Sequence, residues 1–126
     1  MGAVLDTNVV IEIAVGNKEV LDKVLSVDNE FYLTTISRFE LLSGNLTDRE
    51  RFWIDQLVSL PLDDDSSELA ATLFKSLKKE GRMISLRDLF IGAICMSNGL
   101  PLITLDADFL ALQDHGLELY LLRDQR

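Results

Sequence analysis

Apolar residues occur along this chain in short continuous runs that alternate with longer segments of helical spacing. The runs predict strands at residues 2–5, 31–35, 58–62, 102–105 and 119–122. Pro61 places the third strand at or near an edge of the sheet. Because helices separate most of the strands, we expect a mainly parallel five-stranded sheet covered on both faces. The pattern predicts a three-layer α/β/α fold, with residues 1–126 forming a single domain.

Four acidic residues lie where such a fold would bring them to one edge of the sheet. They are Asp6, Glu40, Asp88 and Asp106. Asp6 and Asp106 directly follow predicted strands, whereas Glu40 and Asp88 lie in the first turn of predicted helices. Ligands bind at the edge of an open sheet that is formed by strand carboxyl ends and the helix starts after them. Carboxylates gathered there raise at least one carboxyl pKa, unless a divalent cation lies between them.

Each acid also has a purely structural explanation. Ser37 with Glu40, and Ser85 with Asp88, have the spacing of a capping box, in which the third helical residue bonds to the N-cap amide. The two acids that follow strands can likewise cap the helices after them. If all four are only caps, a protein-binding module is the alternative to an enzyme.

The carboxylates are the residues best suited to catalysis in this sequence. Mg²⁺ and Mn²⁺ prefer hard oxygen ligands, and one or two such ions can activate a water and stabilise the leaving oxygen of a phosphodiester. His115 is the only histidine, so no Ser–His–Asp set is available. The sequence also has no P-loop, GxGxxG motif or zinc-binding cluster.

The composition limits the classes of function. A net charge of −9 argues against a general nucleic-acid coat protein and suits a metal site or a surface for a basic partner. The sequence has no apolar run near ~20 residues and no basic region before its first apolar stretch, so we expect no membrane span and no signal peptide. Cys95, the single cysteine, predicts an inert core thiol and fits a reducing cytoplasm.

Four segments occur in the order VLDTNVVIE, TTISRFELLSG, RDLFIGAICMSNGLPLIT and LDADF. In this order they resemble the PIN-domain ribonucleases, especially the small VapC toxins of prokaryotic toxin–antitoxin pairs. The resemblance covers nearly the whole chain. It implies a Mg²⁺- or Mn²⁺-dependent endoribonuclease that cleaves RNA and is usually a homodimer. It also implies a cognate antitoxin with a basic C-terminal segment.

The same resemblance assigns roles to individual residues. The four acids fall on the family's acidic quartet, with Asp6 and Asp88 as the firmest metal ligands and the other two as direct or water-mediated ligands. Thr104 is similar to a family hydroxyl that steadies the carboxylates. Asp108 lies where some members carry a further acid.

Two arginines and two alternative functions are left open by the sequence. Arg38 and Arg87 lie near Glu40 and Asp88, so each can contact a scissile phosphate or be a solvated first-turn residue.

One alternative function is that of a PIN nuclease that acts in RNA processing without an antitoxin. The other is an acidic receiver domain, for which the turn at 63–65 could supply the third-strand aspartate, although LDTN supplies only one early acid.

Overall fold

The computed structural model describes residues 1–122, which form a five-stranded sheet with helices on both faces. The strands are β1 (Ala3–Leu5), β2 (Phe31–Thr34), β3 (Val58–Leu60), β4 (Leu102–Thr104) and β5 (Leu119–Leu121). The helices of this range are α1 (Thr7–Ala14), α2 (Lys18–Val27), α3 (Thr35–Leu42), α4 (Asp48–Asp55), α5 (Asp64–Lys79), α6 (Leu86–Ser97) and α7 (Leu110–Gln113), with a 3₁₀ turn at Ala107–Phe109.

The sheet is parallel throughout, with the strand order β3-β2-β1-β4-β5. Val4 of β1 pairs with Tyr32 of β2 on one side and with Leu102 of β4 on the other. The chain therefore places β2 and β3 on one side of β1, and β4 and β5 on the other side. This reversal makes the carboxyl ends of β1 and β4 the switch point of the sheet, where ligands bind in open α/β folds.

Successive side chains of the two central strands enter separate hydrophobic cores. Val4 and Leu102 pack on the side of α5 and α6, whereas Leu5 and Ile103 pack on the side of α1 to α4. All four side chains are 0–1% exposed. Strands covered on both faces have continuous apolar sequences, which explains the runs that predicted them. The predicted three-layer fold is confirmed.

The element ends follow local signals in the sequence. β3 is an edge strand, as Pro61 indicated, and it ends one residue before that proline. α4 begins with a capping box in which Thr47 and Glu50 bond to each other's backbone N–H, at 2.9 and 3.1 Å. α6 ends before Gly99, whose φ of +65° is costly for any residue with a Cβ.

The longest helix, α5, has 16 residues and carries charged residues at both ends. Within residues 1–122, no helix combines the length and the apolar character needed to cross a membrane.

Candidate metal and active site

Asp6 is fully buried at the carboxyl end of β1, the central strand. As the N-cap residue of α1, it accepts a hydrogen bond from the Thr7 backbone N–H at Oδ1, at 2.8 Å. Its Oδ2 accepts a second one from the Thr104 hydroxyl, also at 2.8 Å. Asp6 thus caps a helix and lies at the switch point, so the capping and metal-site interpretations do not exclude each other.

Thr104 joins the ends of β1 and β4. Its fully buried hydroxyl donates to Asp6 and accepts the backbone N–H of Asp106 at 3.0 Å. Asp106 in turn caps the 3₁₀ turn, with its Oδ1 accepting the N–H of Asp108 at 2.9 Å. Because a hydroxyl can be donor and acceptor at once, Thr104 fixes the backbone of Asp106 relative to the Asp6 carboxylate.

Glu40 lies in the second turn of α3, and its predicted capping box with Ser37 is wrong. The N-cap residue is Thr34, whose hydroxyl accepts the Ser37 N–H at 3.1 Å, so the helix begins three residues earlier than the predicted capping box implied. The Glu40 carboxylate instead accepts a hydrogen bond from the Thr7 hydroxyl at 2.6 Å. This contact ties α3 to the start of α1 and brings Glu40 to the edge of the sheet that Asp6 occupies.

Asp88 lies in the first turn of α6 and is 5% exposed. Ser85 is the N-cap residue, and its hydroxyl accepts the Asp88 N–H at 3.1 Å. Burial raises the pKa of the Asp88 carboxyl; hydrogen bonding to Arg87 offsets this only in part, and the charge of Asp106 raises it further. The clustering of the acids predicted a raised carboxyl pKa; at Asp88 burial is the larger cause, and the neighbouring charge of Asp106 is the smaller one.

Three carboxylates form a group that can accept a cation. Oxygens of Asp88, Asp106 and Asp108 all lie within 4.8 Å of one another. An octahedral Mg²⁺ with bonds of about 2.1 Å spans about 4.2 Å between opposite ligands, so small side-chain rotations would close this group around one ion. The donors are all hard oxygens, which fits Mg²⁺ or Mn²⁺.

Arg87 lies between the carboxylates of Glu40, Asp6 and Asp88. Its guanidinium donates to Glu40 and Asp6 at 2.6 and 3.0 Å and to Asp88 at 2.5 Å. Burial would raise the pKa of Glu40, but the hydrogen bonds from Arg87 and Thr7 outweigh it and hold that pKa below its usual value. For Arg87, burial is likewise outweighed by Glu40 and Asp6, which raise its pKa and keep it charged.

The other flanking arginine is directed elsewhere. Arg38 forms an ion pair with Asp55 of α4, at 2.7 Å. Of the two arginines singled out in the sequence, the structure therefore brings Arg87 to the carboxylates and holds Arg38 against α4. Contact of either residue with a substrate phosphate stays a prediction.

Two polar residues of the site were missed in the sequence. The Thr7 hydroxyl binds Glu40, and the Asn8 side chain accepts the backbone N–H of Leu105 at 3.3 Å, which holds α1 to the end of β4. Their signal was the polar pair directly after Asp6, where the pattern indicated only a helix start.

Asp63 lies in the turn that could supply the third-strand aspartate of an acidic receiver domain. It is the N-cap residue of α5 and accepts a hydrogen bond from the Ser66 hydroxyl at 2.6 Å.

A family model described as PIN domain matches residues 3–114. The chain therefore belongs to the PIN-domain family, as its sequence segments indicated. It is 47% identical over 94 residues to Ribonuclease VapC3 of Methanocaldococcus jannaschii, and the aligned region covers 75% of this chain and 98% of the relative. It is 36% identical over 119 residues to Ribonuclease VapC5 of Mycobacterium tuberculosis, which covers 86% of each.

The fold also has counterparts among solved structures. One is the crystal structure of VapBC-5 from Mycobacterium tuberculosis, a member of the VapBC family of toxin–antitoxin systems. The matched chain has a TM-score of 0.67 and 29% identity, with 98% of each chain covered. The resemblance to VapC proteins that the sequence indicated is thus confirmed by relatives of that name and by a structure of that family.

Proposed function

We propose that this chain is a Mg²⁺- or Mn²⁺-dependent endoribonuclease that hydrolyses RNA phosphodiester bonds, and that it is the toxin of a toxin–antitoxin pair. The observation that carries the proposal is the acidic edge at the switch point, where oxygens of Asp88, Asp106 and Asp108 lie within 4.8 Å of one another and Thr104 connects Asp6 with the backbone of Asp106. Membership of the PIN-domain family and similarity to two relatives named ribonucleases support the same activity.

The residues that would hold the ion are Asp6, Glu40, Asp88 and Asp106, with Asp108 as a further carboxylate. When bound, such an ion activates a water and stabilises charge on the leaving oxygen of the phosphodiester. Thr104 and Thr7 fix the orientations of the Asp6 and Glu40 carboxylates through hydrogen bonds of 2.8 and 2.6 Å. Burial raises the pKa of Asp88, so a nearby cation would stabilise the ionised form of this carboxylate.

RNA cleavage by the purified protein tests this activity. We expect cutting with Mg²⁺ or Mn²⁺, none with excess EDTA, and products with 5′-phosphate and 3′-hydroxyl ends, because an activated water attacks phosphorus. Asp88→Asn should abolish cleavage. Asp114→Asn is the matched control, since it changes a carboxylate of 64% exposure that pairs with Arg82 at 2.9 Å. Undiminished cutting in EDTA, or cyclic phosphate ends, would contradict the mechanism.

An antitoxin segment fits the surface beside the acidic edge. A groove of about 250 Å³ between α1, α3 and α4 is lined by Ile11 and Val15 and reaches Glu40. Ile11 and Val15 are 47% and 69% exposed, and Phe39 on α3 is 70% exposed. With a net charge of −9 on the chain, a partner segment with apolar side chains for the groove and a Lys or Arg for the carboxylates would be complementary. We place the basic C-terminal segment of the antitoxin there.

Co-expression with the protein encoded by the adjacent open reading frame tests the partner. A stable complex and relief of growth inhibition are expected. If the chain alone is harmless to growth while its RNA cleavage is robust, a PIN nuclease of RNA processing is the better assignment.

We further propose that the chain acts in the cytoplasm as a homodimer. Light scattering should then give twice the mass of one chain, and the mass of a single chain would contradict the homodimer.

A further inference from the structure

The guanidinium of Arg87 occupies the space between three of the proposed metal ligands. Nε donates to Glu40, Nη1 to Asp88 and Nη2 to Asp6. Nη2 also donates to the second oxygen of Glu40 at 2.9 Å, so the fork of the arginine holds that carboxylate at both oxygens. One monovalent side chain thus neutralises part of the charge that a divalent ion would neutralise.

Arg87 and a divalent ion cannot both use these carboxylates in the arrangement seen here. An ion bonded to oxygens of Asp6 and Asp88 would lie within a few ångströms of the guanidinium, where two cations repel strongly in a partly buried site. Mg²⁺ also requires near-octahedral coordination at short distances. Both oxygens of Glu40 are bonded to Arg87, so this carboxylate cannot readily supply a ligand to the ion. Binding of the ion to both Asp6 and Asp88 therefore requires that Arg87 move.

Arg87 has access to solvent, whereas Asp6 does not. The Arg87 side chain is 31% exposed, whereas that of Asp6 is 0% exposed. Within residues 1–122, the hydrogen bonds of Arg87 do not include Asp106 or Asp108, and Asp108 lies exposed at the surface. An incoming ion can thus first meet these two aspartates while Arg87 still holds Asp6 and Glu40.

We propose that Arg87 is an internal counter-cation that competes with the divalent ion: it holds the carboxylates together in the metal-free protein and is displaced when the ion binds. This inference rests on the proposed function, because it concerns the same metal site. It assigns Arg87 a positioning role in the metal-free state and makes it a determinant of metal affinity.

Titration calorimetry with Mg²⁺ in the absence of RNA tests the competition in the wild type and three variants. Arg87→Gln removes the charge and should bind Mg²⁺ about ten-fold more tightly, with a lower melting temperature in EDTA. Arg87→Lys keeps the charge but loses the fork, so its affinity should lie between those of the wild type and Arg87→Gln. Arg38→Gln is the matched control, because Arg38 has a similar exposure of 28% and pairs with Asp55 away from the site; its affinity should equal that of the wild type.

The second measurement follows Arg87 itself in the wild-type protein by ¹H–¹⁵N spectroscopy. The Nε–H signal of Arg87, assigned by its loss in Arg87→Lys, should shift as Mg²⁺ is added, because its bond to Glu40 breaks. Mg²⁺ binding with an unmoved signal, or equal or weaker affinity in Arg87→Gln, would overturn the competition while leaving the metal site intact. Absence of Mg²⁺ binding in all four proteins would overturn the metal site and the competition together.

Discussion

Thr104→Val removes the hydroxyl that joins Asp6 to the backbone of Asp106 and changes little else. Valine has nearly the volume of threonine, and residue 104 is fully buried in β4. The change deletes the donor to the buried Asp6 carboxylate and the acceptor of the Asp106 N–H. If this hydroxyl holds the site together, both stability and metal binding should fall.

The size of the loss follows from the two hydrogen bonds. A bond to a charged group contributes ~1.5–3 kcal/mol, and leaving a buried acceptor without its partner places the cost toward the upper part of that range. The Asp106 N–H belongs to a partly exposed residue, so water can replace its lost acceptor and its contribution is small. We expect a loss of about 2–3 kcal/mol, which is a fall in melting temperature of about 8–12 °C for a domain of this size.

Thermal denaturation at pH 7 in EDTA and in Mn²⁺ measures both effects. Thr104→Ser is the matched control, because it keeps the hydroxyl and loses only a buried methyl group, at a cost of about 1 kcal/mol. Stabilisation by Mn²⁺ should be smaller in Thr104→Val than in Thr104→Ser, since a less ordered Asp6 and Asp106 bind the ion less well. A Thr104→Val protein that melts as high as Thr104→Ser would refute the assigned role of the hydroxyl.

Two further substitutions and one labelling experiment test the charge balance and the core. Glu40→Gln should destabilise the protein at pH 7, and the difference from the wild type should begin to shrink near the ordinary Glu pKa of 4.5 and be lost as pH falls through the lower folded-state pKa, because the ionised Glu40 contributes stability only above that value. Urea unfolding as a function of pH measures this, and a difference that does not shrink at all as the solution is acidified below pH 4.5 would contradict it. Gly92→Ala should lower the melting temperature, because its Cβ would lie 2.3 Å from Leu112 Cδ1. In a Leu112→Ala background the same change should not be destabilising; an equal loss there would exclude the clash. Cys95, which is fully buried and whose pKa is raised by burial, should react with a thiol reagent only on unfolding, so rapid labelling of the native protein would contradict its core position.

The architecture was predictable because the strands carry a strong local signal. Val4 and Leu5 face opposite cores, so a strand buried on both faces must be apolar at every position. The start of α3 was not predictable in the same way. Thr34 is both the last residue of β2 and the N-cap residue of α3. Because a β-branched residue favours a strand, the sequence indicated only the strand, although the hydroxyl of Thr34 also caps the helix.

The site was predictable where chain order fixes position and not where tertiary contacts decide it. Asp6 and Asp106 directly follow neighbouring parallel strands, so their proximity follows from the topology. The bonds of Arg87 to Glu40 and Asp6 span 47 and 81 residues and depend on how α3 and α6 are placed over the sheet. In the sequence each arginine follows a serine and precedes an acid, so no local pattern distinguishes Arg87 from Arg38, which pairs with Asp55 instead.

Helix capping and metal binding are compatible roles for the two acids that follow strands. Asp6 and Asp106 are both N-cap residues, and they also lie at the switch point of the sheet. An N-cap carboxylate uses part of its hydrogen-bonding capacity for the helix and retains lone pairs for other partners, as the second oxygen of Asp6 does with Thr104. Capping orients these side chains, and orientation is what a metal ligand requires.

The central claim is that the acidic edge binds a divalent ion, and locating that ion tests it most directly. Crystals grown with Mn²⁺ allow the ion to be placed by its anomalous scattering. We predict a peak within bonding distance of carboxylate oxygens of Asp6, Asp88 and Asp106, with Arg87 no longer bonded to Asp6. A map at saturating Mn²⁺ with no peak among these carboxylates, and with Arg87 still bonded to Glu40 and Asp6, would contradict it.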